Sequence, residues 1–483
     1  MKEPKKMGLL ERKKYERSVR RRKQRVKIGI VVSLLAVLLI IVCVKWKPWE
    51  NLSFGPSVET DGDIKGDKNN IIDKEDVRQT TIEKAERMAA SYGYDEAVEM
   101  LKGLDGWEKD QEIKTMISDI EAEKATCVPV KLEEVTHIFY HTLVVDENRA
   151  FANQANDPQA VGNNQWMTTV DEFNAITQEM YDRGFVMVSI HDLYEVTTDE
   201  NGKELWKPAE LLLPPDKKAF VLSLDDLSYY HSYDNYGYAT KLIIDENGDV
   251  MNEYTDAEGN THIGAYDCVP LMDQFVEEHP DASYKGAKGI IALTGYNGVL
   301  GYRTDETYDY DHPRCDRHQK AWMDAHTDFT LESDREQAKK VAEAMKANGW
   351  EFASHTWGHM RVGDRSLESI KTDTEKWRAN VEPIVGATDA IIFAHGQDLQ
   401  GVGAYSESNE KYQYLRSQGY RIFCNVDSNV YTTFLGQDYM RQGRRNLDGY
   451  RIYYNAIGSQ NNVSDLFDAA TILDPDRPPV PEL

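Results

Sequence analysis

The sequence predicts an α/β fold of mostly parallel strands, arranged as an open sheet or a barrel. From about Val128, short apolar runs alternate with amphipathic helical runs over roughly 300 residues, the texture of repeated βα units. One run, AFVLSL, is short, apolar and β-prone. It is bracketed by Pro-Pro-Asp-Lys-Lys and Asp-Asp, so it reads as a buried strand. With 483 residues, 41% hydrophobic and 10% aromatic, the chain is long enough for two or three parts and can bury a sizeable core.

Residues 1–27 form a basic tail, with 13 Lys and Arg against three Glu, a charge of +10. The whole chain carries −26, which leaves −36 for the rest. A body this acidic argues against nucleic acid or an anionic polymer as partner and suits a neutral or amino-bearing polymer. Ile28–Val44 follows as 17 residues without charge, at the short end of the spanning range. Trp46 and Trp49 sit where interfacial aromatic residues are favoured, and Arg20–Lys27 lies on the side that positive residues keep inside. No small-x-small cleavage site follows, which weighs against a removed signal peptide. Residues 28–46 are therefore expected to be a single-pass transmembrane helix in the cell membrane, with a cytoplasmic N-terminus and the bulk outside.

A solvated linker is expected over 47–79 and a helical stalk over 80–126. In the stalk Ile82, Ala85, Met88 and Ala89, then Ala97, Val98 and Leu101, then Ile113, Met116 and Ile120 recur at helical spacing, punctuated by Gly93 and Gly103. AERMAASYGYDEAVEML resembles one tetratricopeptide-type α-helical hairpin. A single such unit cannot bury its own face, so a stalk or a docking element for a protein partner is expected.

The main domain is expected over 128–465, with a tail over 466–483. THIFYH and GFVMVSI read as strands around a helix at Val170–Arg183. KGIIAL (288–293), EFAS (351–354), AIIFA (390–394) and YRIFCNV (420–426) read as further strands, with helices at Ser333–Ala347 and Leu367–Ile384. Residues 232–287 and 302–332 read as insertions, the first carrying the hairpin turn signals Asp245-Glu-Asn-Gly and Asp256-Ala-Glu-Gly-Asn. Cys43 falls in the apolar run. Cys127, Cys268, Cys315 and Cys424 match no disulfide or zinc-ribbon spacing, which leaves open two bridges or unpaired thiols.

Asp225 and Asp226 close the strand Phe220–Leu224, at the end where parallel α/β folds build their sites. One carboxylate there can hold a cation while its neighbour takes a proton; alone, an Asp-Asp pair is more often a turn or a cap. His355 and His359 follow EFAS at i and i+4, a spacing that lets two imidazoles meet one ion from a helical turn. The bland alternative is two solvated loop histidines. With one Asp they make a three-ligand set with a position left for water, suited to Zn²⁺ and tolerable for Co²⁺ or Ni²⁺. His141, after THIFY, reads by itself as a capping or packing histidine.

Leu-Ser-Leu-Asp225-Asp226 resembles the Thr-Phe-Asp-Asp-Gly motif of the polysaccharide deacetylases (carbohydrate esterase family 4). Ser354-His355-Thr-Trp-Gly-His359 resembles their His-Ser/Thr-x-x-x-His motif. IFYHT, a helix, GFVMVSIHDL and then PPDKKAFVLSLDD are similar to the branch that acts on poly-N-acetylglucosamine. The similarity spans about residues 135–430, broken by the two insertions, with the motifs in the family's order. It implies a deformed (β/α) barrel and a membrane-anchored, extracytoplasmic, metal-dependent N-deacetylase of a GlcNAc-containing polysaccharide, either peptidoglycan or an exopolysaccharide. By motif, Asp225 would be the general base and Asp226, His355 and His359 the metal ligands. His141 stands in the place of the branch's early histidine and would protonate the leaving amine. Asp427, in Asn425-Val-Asp427-Ser, matches the family's later Asp motif, and Trp357, His395 and Asp398 are expected to line the site. The pattern departs at Leu224 and Leu227, which replace an aromatic residue and a glycine, and at Phe393–Asp398, which replaces Arg-x-Pro-Tyr. The departures touch the substrate more than the hydrolytic core. They also keep two other readings in play: a carbohydrate O-acetyl esterase, and a catalytically weak surface module that binds glycan or a partner.

Overall fold

Eight short strands carry the fold: β1 Thr136–Tyr140, β2 Phe185–Met187, β3 Lys218–Asp225, β4 Ile290–Leu293, β5 Glu351–Ser354, β6 Ala390–Ile392, β7 Ile422–Val426 and β8 Met440–Asn446. The structure is a computed structural model and describes residues 74–401, 403–426 and 432–483. Seven strands close a parallel barrel in the order β1-β3-β4-β5-β6-β7-β8 and back to β1. β2 is the eighth. It pairs with the first half of β3, Met187 opposite Phe220, while β4 takes the second half, Ala292 opposite Asp225. Sharing one edge of β3 between two neighbours is what deforms the barrel.

Strand alternation sorts the side chains. On β3, Phe220, Leu222 and Leu224 pack outward with Ile176, Met180, Met272 and Met345 of the surrounding helices. Ala219 and Val221 point inward, with Ala292, Ala353, Ile392 and Ile422. The helix Val170–Asp182 opens with a capping box of Thr169 and Glu172, which satisfies the first free N–H groups of the helix.

Three stretches differ from the sequence expectation. β8 was not foreseen, and it closes the barrel between β7 and β1. The helix Cys268–Glu278, assigned to the first insertion, packs Val269, Met272 and Val276 on the barrel and is one of its covering helices. The remainder of that insertion is an antiparallel sheet of Ala239–Ile244, Val250–Thr255 and Thr261–Gly264, with turns at the two expected signals. The expected tail is packed: Leu466, Phe467 and Val480 are buried, and Arg477 meets Glu172 at 2.6 Å with both side chains 0% exposed.

The helical region starts at Lys74, inside the expected linker, as α1 Lys74–Ala90, α2 Tyr94–Lys102 and α3 Gln111–Lys124. It does not stand away as a stalk. Ile82, Ala85, Ala97, Leu101, Ile113 and Ile117 join one hydrophobic cluster with the inward side chains of the barrel. The apolar face that a lone hairpin cannot bury is buried on the N-terminal mouth of the barrel. Polar ties to the segment leading into β4 fix it: Tyr92 O–H donates to Asp281 O at 2.8 Å, and Lys285 pairs with Glu96 at 2.6 Å.

The expected anchor at 28–46, the tail before it and most of the linker fall outside the described residues. Among the described residues no helix is long and apolar enough to cross a membrane. Cys127, Cys268, Cys315 and Cys424 are all free thiols.

Candidate active site

The C-terminal ends of the barrel strands gather the charged groups. Asp225 ends β3 with 3% exposure, and Asp226 follows it at 6%. His355 directly follows β5 and is 1% exposed. Asp226, His355 and His359 each offer one ligand atom, and these atoms lie within 4.8 Å of one another. His359 Nε2 is 3.5 Å from Asp226 Oδ2, and His355 Nε2 is 3.9 Å from Asp226 Oδ1.

The supporting contacts orient each donor. His355 Nδ1–H donates to the Ile392 carbonyl at 2.8 Å, which leaves Nε2 bare and turned to the carboxylates. Burial lowers the pKa of His355 against the pull of Asp225 and Asp226, so the ring stays neutral and able to ligate. Tyr230 O–H donates to Asp226 Oδ1 at 2.6 Å and fixes that carboxylate. One carboxylate oxygen and two imidazole nitrogens converge, Asp226 and His355 buried and His359 partly open to solvent, and fit a three-ligand divalent metal site with room for water.

The two histidines meet across a tight turn rather than along the helical turn expected from their spacing. Asp226, Thr356, His359 and His395 have φ of 61°, 63°, 52° and 56°. Left-handed backbone is costly for residues other than glycine, most of all for β-branched Thr356, and such strain collects at functional sites. Asp373 holds the turn by accepting the N–H groups of Trp357 and Gly358 at 2.7 and 2.9 Å, and Thr356 Oγ1 accepts that of Met360 at 2.7 Å. The turn brings the two imidazole rings to 5.1 Å between centroids.

Beside this triad, Asp225 is gripped by a residue that sequence reasoning missed. Arg444 on β8, fully buried, donates to both oxygens of Asp225, Nη1 to Oδ1 at 2.7 Å and Nη2 to Oδ2 at 2.9 Å. Burial alone would raise the pKa of Asp225; the charges of Arg444 and His355 and the Arg444 hydrogen bonds reverse this and hold it well below the usual carboxylate range. Arg444 is itself buttressed across the barrel interior. Its Nη1 donates to Ser223 Oγ at 3.1 Å, Ser223 Oγ lies 2.9 Å from His137 Nε2, and His137 Nδ1 lies 2.9 Å from Gln442 Oε1. One donor order fits all three contacts: His137 Nδ1–H donates to Gln442, and Ser223 O–H donates to Nε2. Burial, then the Arg444 charge, push His137 down to about 3, so it is a neutral member of the chain.

The other expected residues divide. His141 follows β1, half-buried, its ring 5.8 Å from that of Phe139 and near enough for its charge to act on Asp225. His395 is exposed with its ring 4.3 Å from that of His359, so it joins the site. Trp357 lies across the neighbouring loop. Its Nε1 donates to Asp305 at 2.7 Å, and Gly295 makes room for it, since a Cβ there would be 2.4 Å from the indole. Asp398 does not line the site. It pairs with Arg441 at 2.7 Å and accepts from Tyr405 O–H at 2.6 Å, on the outer face of β8. Asp427 lies outside the described residues.

The family model of the polysaccharide deacetylases matches residues 319–420. That stretch holds β5, both site histidines and β6; Asp225, Asp226, His141 and Arg444 lie beyond it. A solved structure of the Streptococcus pyogenes deacetylase PplD in complex with acetate aligns over 66% of this chain and 93% of its own, at 16% identity and a TM-score of 0.33. No curated protein matches the chain.

Proposed function

We propose that this chain is a metal-dependent deacetylase that hydrolyses the N-acetyl groups of a GlcNAc-containing polysaccharide, peptidoglycan or an exopolysaccharide. The observation that carries the reading is the Asp226, His355 and His359 cluster beside an Asp225 held ionised by Arg444, at the functional end of a parallel barrel. The match of residues 319–420 to the polysaccharide deacetylase family supports it. Asp226, His355 and His359 would hold the ion, Zn²⁺ in the first place with Co²⁺ or Ni²⁺ as alternatives. A bound divalent ion supplies Lewis-acid polarisation of a carbonyl and acidifies water.

The residues around it divide the proton work. Asp225, kept ionised by Arg444, is the group that would accept a proton from the attacking water. Arg444 fixes the direction in which its free lone pairs point. His141 gives a proton to the departing amine, which would otherwise leave as a poor anion. His355, held by the Ile392 carbonyl, keeps the coordinating nitrogen aimed without a search over rotamers. The apolar run at 28–44 supports a place for this chemistry on the outer side of a membrane, within reach of a surface polymer.

Acetate release by the purified full chain tests the proposal, on N-acetylglucosamine polymers and on acetyl esters in parallel, before and after chelation. The expected result is release from the N-acetylated polymers that is lost with chelator and restored by Zn²⁺. No release from any substrate with Zn²⁺, Co²⁺ or Ni²⁺ supplied would sink it, and release from the esters alone would replace it with the O-acetyl esterase reading.

A further inference from the structure

The loop after β3 and the residue that follows β4 share a buried row of hydroxyls that the proton steps above do not use. Tyr230 Oη lies 2.6 Å from Asp226 Oδ1 and 2.5 Å from Thr294 Oγ1, and Thr294 Oγ1 lies 3.2 Å from Ser228 Oγ. Ser228 and Thr294 have no exposed surface and Tyr230 is 6% exposed, so these groups place one another's protons. A carboxylate that ligates an ion can only accept hydrogen bonds. Tyr230 therefore donates its one hydroxyl proton to Asp226, which obliges Thr294 to donate to Tyr230 and Ser228 to donate to Thr294. The row has a single direction and ends on Asp226. Each hydroxyl in its middle donates and accepts at once, which polarises the bond that follows.

Tyr230 is held at its ring as well as at its hydroxyl. The ring stacks on that of Tyr296, with centroids 5.0 Å apart and 16° between the planes. Gly295 and Tyr296 in turn donate their N–H groups to the Trp357 carbonyl at 2.9 and 3.1 Å, and Trp357 lies between His355 and His359 in the turn that carries both. The segment after β4 thus grips the carboxylate side of the metal cluster through Tyr230 and its imidazole side through Trp357. The consequence falls on the two oxygens of Asp226. Oδ1, 3.9 Å from His355 Nε2, accepts from Tyr230, while Oδ2 faces His359 Nε2 at 3.5 Å. A carboxylate free to turn could offer either oxygen or both.

We propose that Tyr230, backed by Thr294 and Ser228, is a positioning residue for the metal: it occupies Oδ1 of Asp226 and so presents Oδ2 to the ion. The role deepens the metal-dependent reading and rests on it. Because Tyr230 acts through Asp226, its effect is expected in metal affinity, independent of turnover.

Titration of Zn²⁺ into the metal-stripped full-length protein, with a chromophoric chelator as competitor, reads that affinity directly. Tyr230→Phe keeps the ring and its stack and removes only the hydroxyl. Its Kd for Zn²⁺ is expected to be weaker by about tenfold or more, and a smaller loosening overturns the proposal. A hydroxyl that served only the fold would lower the Tm of the metal-stripped protein and leave the Kd of the folded molecules unchanged. Thr294→Val removes the donor behind Tyr230 and should fall between the parent and Tyr230→Phe. If Tyr230→Phe does not fold, Thr294→Val decides: a weaker Kd upholds the proposal, and a Kd equal to that of the parent overturns it. A parent that binds none of Zn²⁺, Co²⁺ and Ni²⁺ sinks the metal-dependent reading and this role together. Tight binding in parent and variants alike removes only the role of Tyr230. Loosened variants of a parent that releases no acetate uphold the role and remove the deacetylase reading.

Discussion

At the N-terminal mouth of the barrel, Val221, Ile290, Ala390 and Ile422 meet Ile82, Leu101 and Ile113 in one dry cluster. At the C-terminal mouth β3, β5 and β8 bring together Asp225, Asp226, His355 and Arg444, all buried and all polar, on backbone that turns left-handed at Asp226, Thr356 and His359. The first end is held by apolar burial, which tolerates approximate fits. The second is held by hydrogen bonds and charge pairs that are worth little net and cost a great deal when one partner is lost. The barrel is thus sealed where it needs stability and left polar and strained where it needs chemistry, with His137, Ser223 and Gln442 as the polar layer between.

If the two ends are separate in this way, substitutions should sort by end. The largest effect is expected from Asp225→Asn, with kcat for acetate release lower by about 10²–10⁴-fold; activity within tenfold of the parent would show that Asp225 is not the base. Arg444→Met should cut across the comparison. It leaves the Asp225 carboxylate buried without its cation, so urea unfolding should show a loss of about 3–5 kcal/mol together with a fall in kcat. A variant as stable as the parent would mean that the pair is solvated.

At the opposite mouth, Leu101→Ala should cost about 2–5 kcal/mol of unfolding free energy while kcat per folded molecule stays unchanged. A matching fall in kcat would show that the helices do more than close the barrel. The smallest effect concerns the polar exception at that end, His191, which lies 2.8 Å from Glu351 and 3.0 Å from Asp389. Burial would lower its pKa, but the hydrogen bonds and charges of Asp389 and Glu351 outweigh it and raise the value to about 10. A group raised in the folded state stabilises fully below its unfolded pKa, about 6.5, and loses that contribution as pH rises through about 10. The gap in Tm between the parent and His191→Gln should therefore be widest near pH 6 and close above pH 10. A gap that is constant with pH would reduce His191 to a packing role. The side chain is 37% exposed, so the gap should be small throughout.

Much of this was legible from local pattern. AFVLSL followed by two aspartates, and EFAS followed by two histidines, place charged groups at strand ends by composition alone, because a buried β-prone run can end only where polar residues begin. β8 was not legible. Met-Arg-Gln-Gly-Arg-Arg-Asn reads as a solvated stretch, and it becomes a strand because β7 and β1 supply hydrogen-bonding partners on both sides and the polar upper interior accepts Gln442 and Arg444. Asp398 failed in the opposite sense: it looked poised beside His395, but Arg441 and Tyr405 hold it on the outer face. The stalk expectation failed because periodicity reports that a face is apolar without reporting what covers it.

The sequence by itself determined the βα repeat, the strand ends and the residue types gathered there, since these follow from short-range hydrophobic patterning. Only the tertiary structure decided that Asp226, His355 and His359 converge within 4.8 Å and that Arg444 rather than a nearby residue steadies Asp225. Those outcomes depend on which strands become neighbours when the barrel closes, and closure brings together residues as far apart as Asp225 and Arg444, whose sequence separation carries no local signal.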